Sequence, residues 1–124
     1  MTRTRETTSD RAEVGHVNTV AFRGRVTKVP EERELPSGTV VSTLRISVRR
    51  DETPMTRGSK QSSDWFDCTA WTAALRRRMK SWQVGDEVEI VGAVRRRHLG
   101  GGSGGTLVDI EVQEARRTQR ADSA

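Results

Sequence analysis

Trp65 and Trp71 stand six positions apart in the stretch "SSDWFDCTAW" (62 to 71), which also holds the chain's single cysteine, Cys68. If this stretch is a β-strand, its side chains alternate between two faces. Phe66, Cys68 and Ala70 then share one face, and Trp65, Asp67, Thr69 and Trp71 the other. The first face is apolar and reads as the core side, which leaves both indoles on the wet side. Two indoles about 20 Å apart along one strand make two flat stacking platforms, separated by several units of an extended polymer of aromatic rings. Guanidinium groups recur nearby with the same alternation: Arg23 and Arg25, Arg45 and Arg49, Arg95 and Arg97. Arginine pairs with phosphate through a planar fork and also stacks on rings. The chemistry these residues offer is non-covalent: stacking plus anion binding.

Other chemistries find little support in the same residues. A lone cysteine on an apolar strand face reads as a small buried hydrophobe, and no internal disulfide is possible. His16 and His98 are isolated from each other and from any cysteine cluster, which argues against a metal site. The glycine run at 99 to 105 lacks the G-x-x-x-x-G-K-[ST] pattern and leads into a strand, so it is not a phosphate-cradling loop. No Ser/His/Asp set or carboxylate cluster is visible, and Asp64 and Asp67 alone do not make a hydrolase. The expectation is a protein that is not an enzyme and needs no cofactor.

The elements that must position these residues follow from apolar periodicity. Apolar or small residues recur at every second position in Val20–Val26, Leu44–Val48, Phe66–Ala70, Val88–Val94 and Val108–Val112, predicting five strands with one buried face each. "TAALRRRMKSW" breaks the alternation. Thr72 can cap a helix in which Leu75, Met79 and Trp82 fall on one face, with Arg76, Arg77 and Lys80 outward and Gly85 at the exit. Trp82 is therefore assigned to the core, unlike the other two tryptophans. "PEERELPSG" (30 to 38) reads as a turn region, "DETPMTRGSKQSS" (51 to 63) as a long polar loop and "LGGGSGG" (99 to 105) as a hairpin tip. The predicted fold is all-β with one helix: a five-stranded, partly open antiparallel barrel of the OB-fold type, with the helix between strands 3 and 4.

Composition sets the partner class. The chain has 124 residues, enough for one ordinary domain, with 22 Lys and Arg against 17 Asp and Glu, a net charge of +5 and a pI of about 10.6. Both ends mix charges, so the basic excess belongs to the middle of the chain and fits a phosphate-bearing partner. The expected organisation is a disordered segment at 1–15, a domain at 16–117 and a short disordered tail at 118–124. No run spans a bilayer and the N-terminus lacks the apolar region of a secretory signal, so a cytoplasmic location, without a membrane partner, is expected.

The chain resembles the bacterial single-stranded DNA-binding proteins. The matching pieces are "NTVAFRGRVTKVPEERELPSGTVVSTLRISVRR", "DWFDCTAW", "AALRRRMKSWQVGDEVEIVGAVRRR" and "TLVDIEVQEARR", covering nearly all of His16 to Arg117. The resemblance implies an OB-fold that assembles as a homotetramer, with a dimer as the other option, and wraps single strands with bases on aromatic residues. Trp65 and Trp71 fall on two of that family's stacking positions. Arg23, Arg25, Arg45, Arg49, Arg95 and Arg97 lie on its DNA-facing strands. It further implies roles in replication, recombination or repair, and a nucleoid association. Two departures stand out. The family often carries further aromatics where this chain has "RRDE" and "HL". The acidic, aromatic-tipped tail of the family is absent from "RRTQRADSA", which suggests an accessory or mobile-element paralogue without tail-mediated recruitment of repair enzymes. The competing reading is a primosome-like OB module whose tryptophan face meets protein.

Overall fold

The computed structural model describes residues 15–98 and 105–121. Five strands and one helix follow the expected order: β1 (Val20–Glu34), β2 (Val40–Arg49), β3 (Ser63–Ala70), α1 (Ala73–Met79), β4 (Glu87–His98) and β5 (Thr106–Gln119). The strands form a closed barrel in the order β1-β2-β3-β5-β4. All neighbours are antiparallel except β3 and β5, whose short parallel pairing of Cys68 with Ile110 and Thr69 with Glu111 completes the circle. This is the OB-fold arrangement.

β1 belongs to both sides of the barrel. Val20–Arg25 pairs with β4, and Arg25–Glu34 pairs with β2, so the strand must bend where it changes partner. Gly24 sits at that bend: a Cβ there would lie 2.4 Å from the Ser47 carbonyl oxygen. Only a residue without a side chain lets the strands approach so closely.

The barrel is filled by the residues that periodicity marked. Val26, Leu44, Ile46, Cys68, Ala70, Val88, Ile90, Ile110 and Val112 are buried together, with Phe22 and Phe66 packed against them at a ring separation of 4.4 Å. Burial pushes the Cys68 thiol up to about 12, with the charges of Asp109 and Asp67 adding to it, so the sulfur stays a neutral core atom. The helix closes one end. Thr72 caps it by accepting from the Leu75 backbone N–H, and Met79 and Trp82 are buried.

Three local expectations change. Residues 30 to 34 are strand rather than turn: Glu31, Glu32, Arg33 and Glu34 pair with Thr43, Ser42, Val41 and Val40. Pro30 is tolerated because the register slips between Lys28 and Glu31, where no ladder donor is required. The turn is confined to Leu35–Thr39. Arg76 is not outward: it donates to the Val40 carbonyl at 3.1 Å and lies 3.4 Å from Glu32, which ties the helix to the long hairpin. β5 continues to Gln119, two residues past Arg117. The hairpin tip expected at 99–105 lies almost wholly outside the described residues.

Asp86 organises the joint between helix and β4. Its buried carboxylate accepts from the backbone N–H groups of Gln83 (2.8 Å) and Ala121 (2.7 Å) and pairs with Arg117 at 3.3 Å. Burial alone would raise its pKa, but these donors outweigh it and hold the carboxyl below its ordinary value. A depressed folded value means that this contribution to stability is present above the ordinary carboxylate range and is lost as the pH falls through the folded value.

Candidate nucleic-acid interface

The pairing of β1, β2 and β3 sets the outward residues in cross-strand rows. Trp65 stands opposite Ser47, which stands opposite Arg25. The next row is Asp67, Arg45 and Lys28; the one after it is Thr69, Thr43 and Glu31. Neighbouring strands lie about 5 Å apart, so Arg25 and Trp65 face solvent within about 10 Å of each other.

Both tryptophans are where the alternation put them. Trp65 is 59% exposed and Trp71 47%, whereas Trp82 is 2% exposed. Trp71 follows Ala70 at the opposite end of β3 from Trp65. Trp65 is not bare: the Arg45 guanidinium carbon lies 4.1 Å from its ring centroid. Thr69, on the same strand face, is buried, and its hydroxyl donates to Asp109 at 3.0 Å.

The six arginines read from the sequence divide into two groups. Three are paired with carboxylates. Arg23 bonds Glu89, which Arg116 also grips at 2.7 Å, so the cation is drawn across β1 to β4 and β5. The hydrogen bond from Arg23, then that from Arg116, holds the Glu89 carboxyl below its ordinary value. Arg45 pairs with Asp67 at 2.9 Å and Arg95 with Glu111 at 2.9 Å. The other three have no carboxylate partner among the described residues. Arg25 donates to the Gly85 carbonyl at 2.8 Å, and Arg49 and Arg97 are exposed on β2 and β4.

A groove of about 820 Å³ runs beside the Asp67–Arg45 pair, between the second half of β1 and the loop end of the β4–β5 hairpin. Its rims carry Lys28, Arg33 and Arg97 and the acidic Glu31, and the buried Thr69 and Asp109 also line it. Burial raises the Asp109 carboxyl above its usual range; the Thr69 hydrogen bond and the charges of Arg97 and Arg33 oppose that rise, and Asp67 adds to it. Lys28 and Arg33 were missed from the sequence because Lys28 lies past Val26, the last apolar position of the predicted strand, and Arg33 lies within the 30–38 stretch that read as a turn. Alternation does not link them, since they have opposite parity; the register slip between Lys28 and Glu31 brings both to the groove. Among the described residues no three His, Cys, Asp or Glu side chains gather to hold a metal, and no helix is long and apolar enough to cross a membrane.

Such a surface can hold a chain of rings and phosphates. A family model described as the single-strand binding protein family matches residues 17–119. A "Single-stranded DNA-binding protein 3" from Listeria innocua is 29% identical over 97 residues, 77% of this chain and 59% of that protein. A "Single-stranded DNA-binding protein" from Oceanobacillus iheyensis is 27% identical over 96 residues, 77% of this chain and 58% of the other. The chain thus spans less than two thirds of the length of these curated relatives. Among solved structures, a Plasmodium falciparum SSB in complex with ssDNA superposes with a TM-score of 0.73 at 16% identity, covering 86% of this chain and 98% of that one. The mitochondrial single-stranded DNA-binding protein Rim1 from S. cerevisiae gives 0.65 at 12% identity, covering 87% and 100%. At these identities the likeness is one of fold.

Proposed function

The chain belongs to the single-strand binding protein family, and from that premise we propose that it binds single-stranded DNA without regard to sequence, as a non-catalytic protein. The observation that carries this reading is the exposure of Trp65 and Trp71 on the face of a barrel whose adjoining groove has basic rims. Bases stack on the two indoles; phosphates run past Arg25, Arg49 and Arg97, joined by Lys28 and Arg33 along the groove. Arg23 and Arg95 contribute less, since a phosphate must displace Glu89 or Glu111 to reach them.

The same reading places the protein in DNA replication, recombination or repair in the cytoplasm, as a homo-oligomer. In that assembly a second copy covers the outer row at Ala21 and Arg23 in the N-terminal half of β1, which leaves Arg25 to the DNA, a tetramer or dimer being the result.

The test is fluorescence anisotropy with a labelled thymidine homopolymer and a blunt duplex of equal length, across a range of salt. The single strand is expected to bind far more tightly, with log K falling linearly on log salt, because stacking needs unpaired bases and the rims need phosphates. Equal affinity for the duplex, or a flat salt response, would contradict the reading. Failure to bind any oligonucleotide would instead favour a protein partner for the tryptophan face.

A further inference from the structure

We propose that Asp67 is a positioning residue for the Trp65 platform: it holds Arg45 against one face of the indole, so that Trp65 takes a base on its other face and Arg45 serves the stack rather than a phosphate. The inference rests on the single-strand reading above.

The geometry engages the Arg45 guanidinium in two directions. Its plane lies by the Trp65 ring, 4.1 Å from the centroid. Its edge is held by Asp67, with Nε donating to Oδ1 at 2.9 Å and Nη2 reaching Oδ2 at 3.5 Å. Arg45 and Asp67 are direct cross-strand partners in β2 and β3, so the backbone register keeps them together. The Arg45 side chain is 30% exposed, against 65% for Arg23 and 52% for Arg95, which are also paired with carboxylates. Trp65 nevertheless stays more than half open.

A phosphate that recruited Arg45 would have to break both contacts. Arg25 and Arg49 form no ion pair with a carboxylate among the described residues, so a phosphate reaches them without displacing one. An arginine already neutralised and stacked is better placed to stiffen the indole and to enrich its stacking face than to bind an anion. Asp67 therefore helps DNA bind although its charge repels phosphate, and this contradiction makes the proposal testable.

The experiment measures affinity for a thymidine homopolymer across salt with the full chain, its D67N, D67E and R45K variants, and thermal melting of each. D67N is expected to bind about two- to five-fold more weakly at every salt concentration, the size of an exposed cation–ring contact, with an unchanged salt slope. D67E should recover most of the loss. R45K keeps the charge but not the planar fork, and should weaken binding as D67N does. Tighter binding by D67N with a slope steeper by about 0.7 would overturn the proposal, since Arg45 would then be a phosphate contact restrained by Asp67. Unchanged affinity in D67N would overturn it too. Should D67N melt below the assay temperature, R45K decides alone, and wild-type affinity in it sinks the idea. A wild-type protein that bound no single strand would overturn the underlying reading, an outcome distinct from all of these.

Discussion

Replacing Trp65 and Trp71 together by alanine is expected to remove most of the affinity for single-stranded DNA while leaving the melting temperature nearly unchanged. Each stacked base contributes about 1–3 kcal/mol, so the pair should cost about 2–6 kcal/mol, a loss of about thirty-fold to twenty-thousand-fold. The fold should survive because Trp65 on the outer face of β3 and Trp71 just past its end have 59% and 47% of their surface in solvent, with the core packed by Phe66, Cys68 and Ala70 behind them. The chain has no other aromatic residue on this face that could substitute: its remaining three are Phe22, Phe66 and Trp82, all within or against the core. Isothermal titration of the double variant with a thymidine homopolymer, next to a thermal melt, checks both halves. A variant that unfolds, or one that binds like wild type, contradicts the placement of the platforms.

Trp82→Ala is expected to do the reverse. Trp82 is 2% exposed, seals the end of the barrel beside Met79, and its backbone N–H donates to the Met79 carbonyl at 3.0 Å. Emptying so large a site costs the transfer free energy of the indole and leaves a cavity that the strands cannot close, about 3–5 kcal/mol in comparable cores. For a domain of this size that loss is a large fraction of total stability. Urea denaturation followed by circular dichroism should show a midpoint far below that of wild type. At temperatures where the variant remains folded, its affinity for a single strand should be close to normal. A stable Trp82→Ala would mean that the helix does not close the barrel as described.

How far these roles were legible depends on how local the physics is. The separation of Trp65 and Trp71 from Trp82 needs only the period of a strand in one case and of a helix in the other, and both periods are written in consecutive residues. The same holds for the Thr72 cap and for the burial of Cys68. What was not legible depends on pairs distant in sequence. Whether Arg23 is free or bound turns on its register with Glu89, and whether Arg95 is free turns on Glu111 in the next strand. Alternation shows that these arginines point outward; it does not show which carboxylate stands opposite. The extension of β1 through Pro30 was hidden because a register slip excuses the missing donor, and with it went Lys28 and Arg33 on the groove rim. Thr69 has the outward parity but is buried and bonded to Asp109, a partner forty residues away. Arg76 occupies an outward helical position but meets the Val40 carbonyl instead, because β2 begins beside the helix.

The central claim is that bases lie on the exposed indoles, and intrinsic tryptophan fluorescence reads that contact directly. Titrating the wild-type protein with thymidine homopolymers of increasing length should quench its emission. The quench should grow with length until one strand reaches both Trp65 and Trp71, platforms about 20 Å apart along β3, and then level off. Saturable binding with emission unchanged at every length would contradict the account, for the strand would then be held by its phosphates alone.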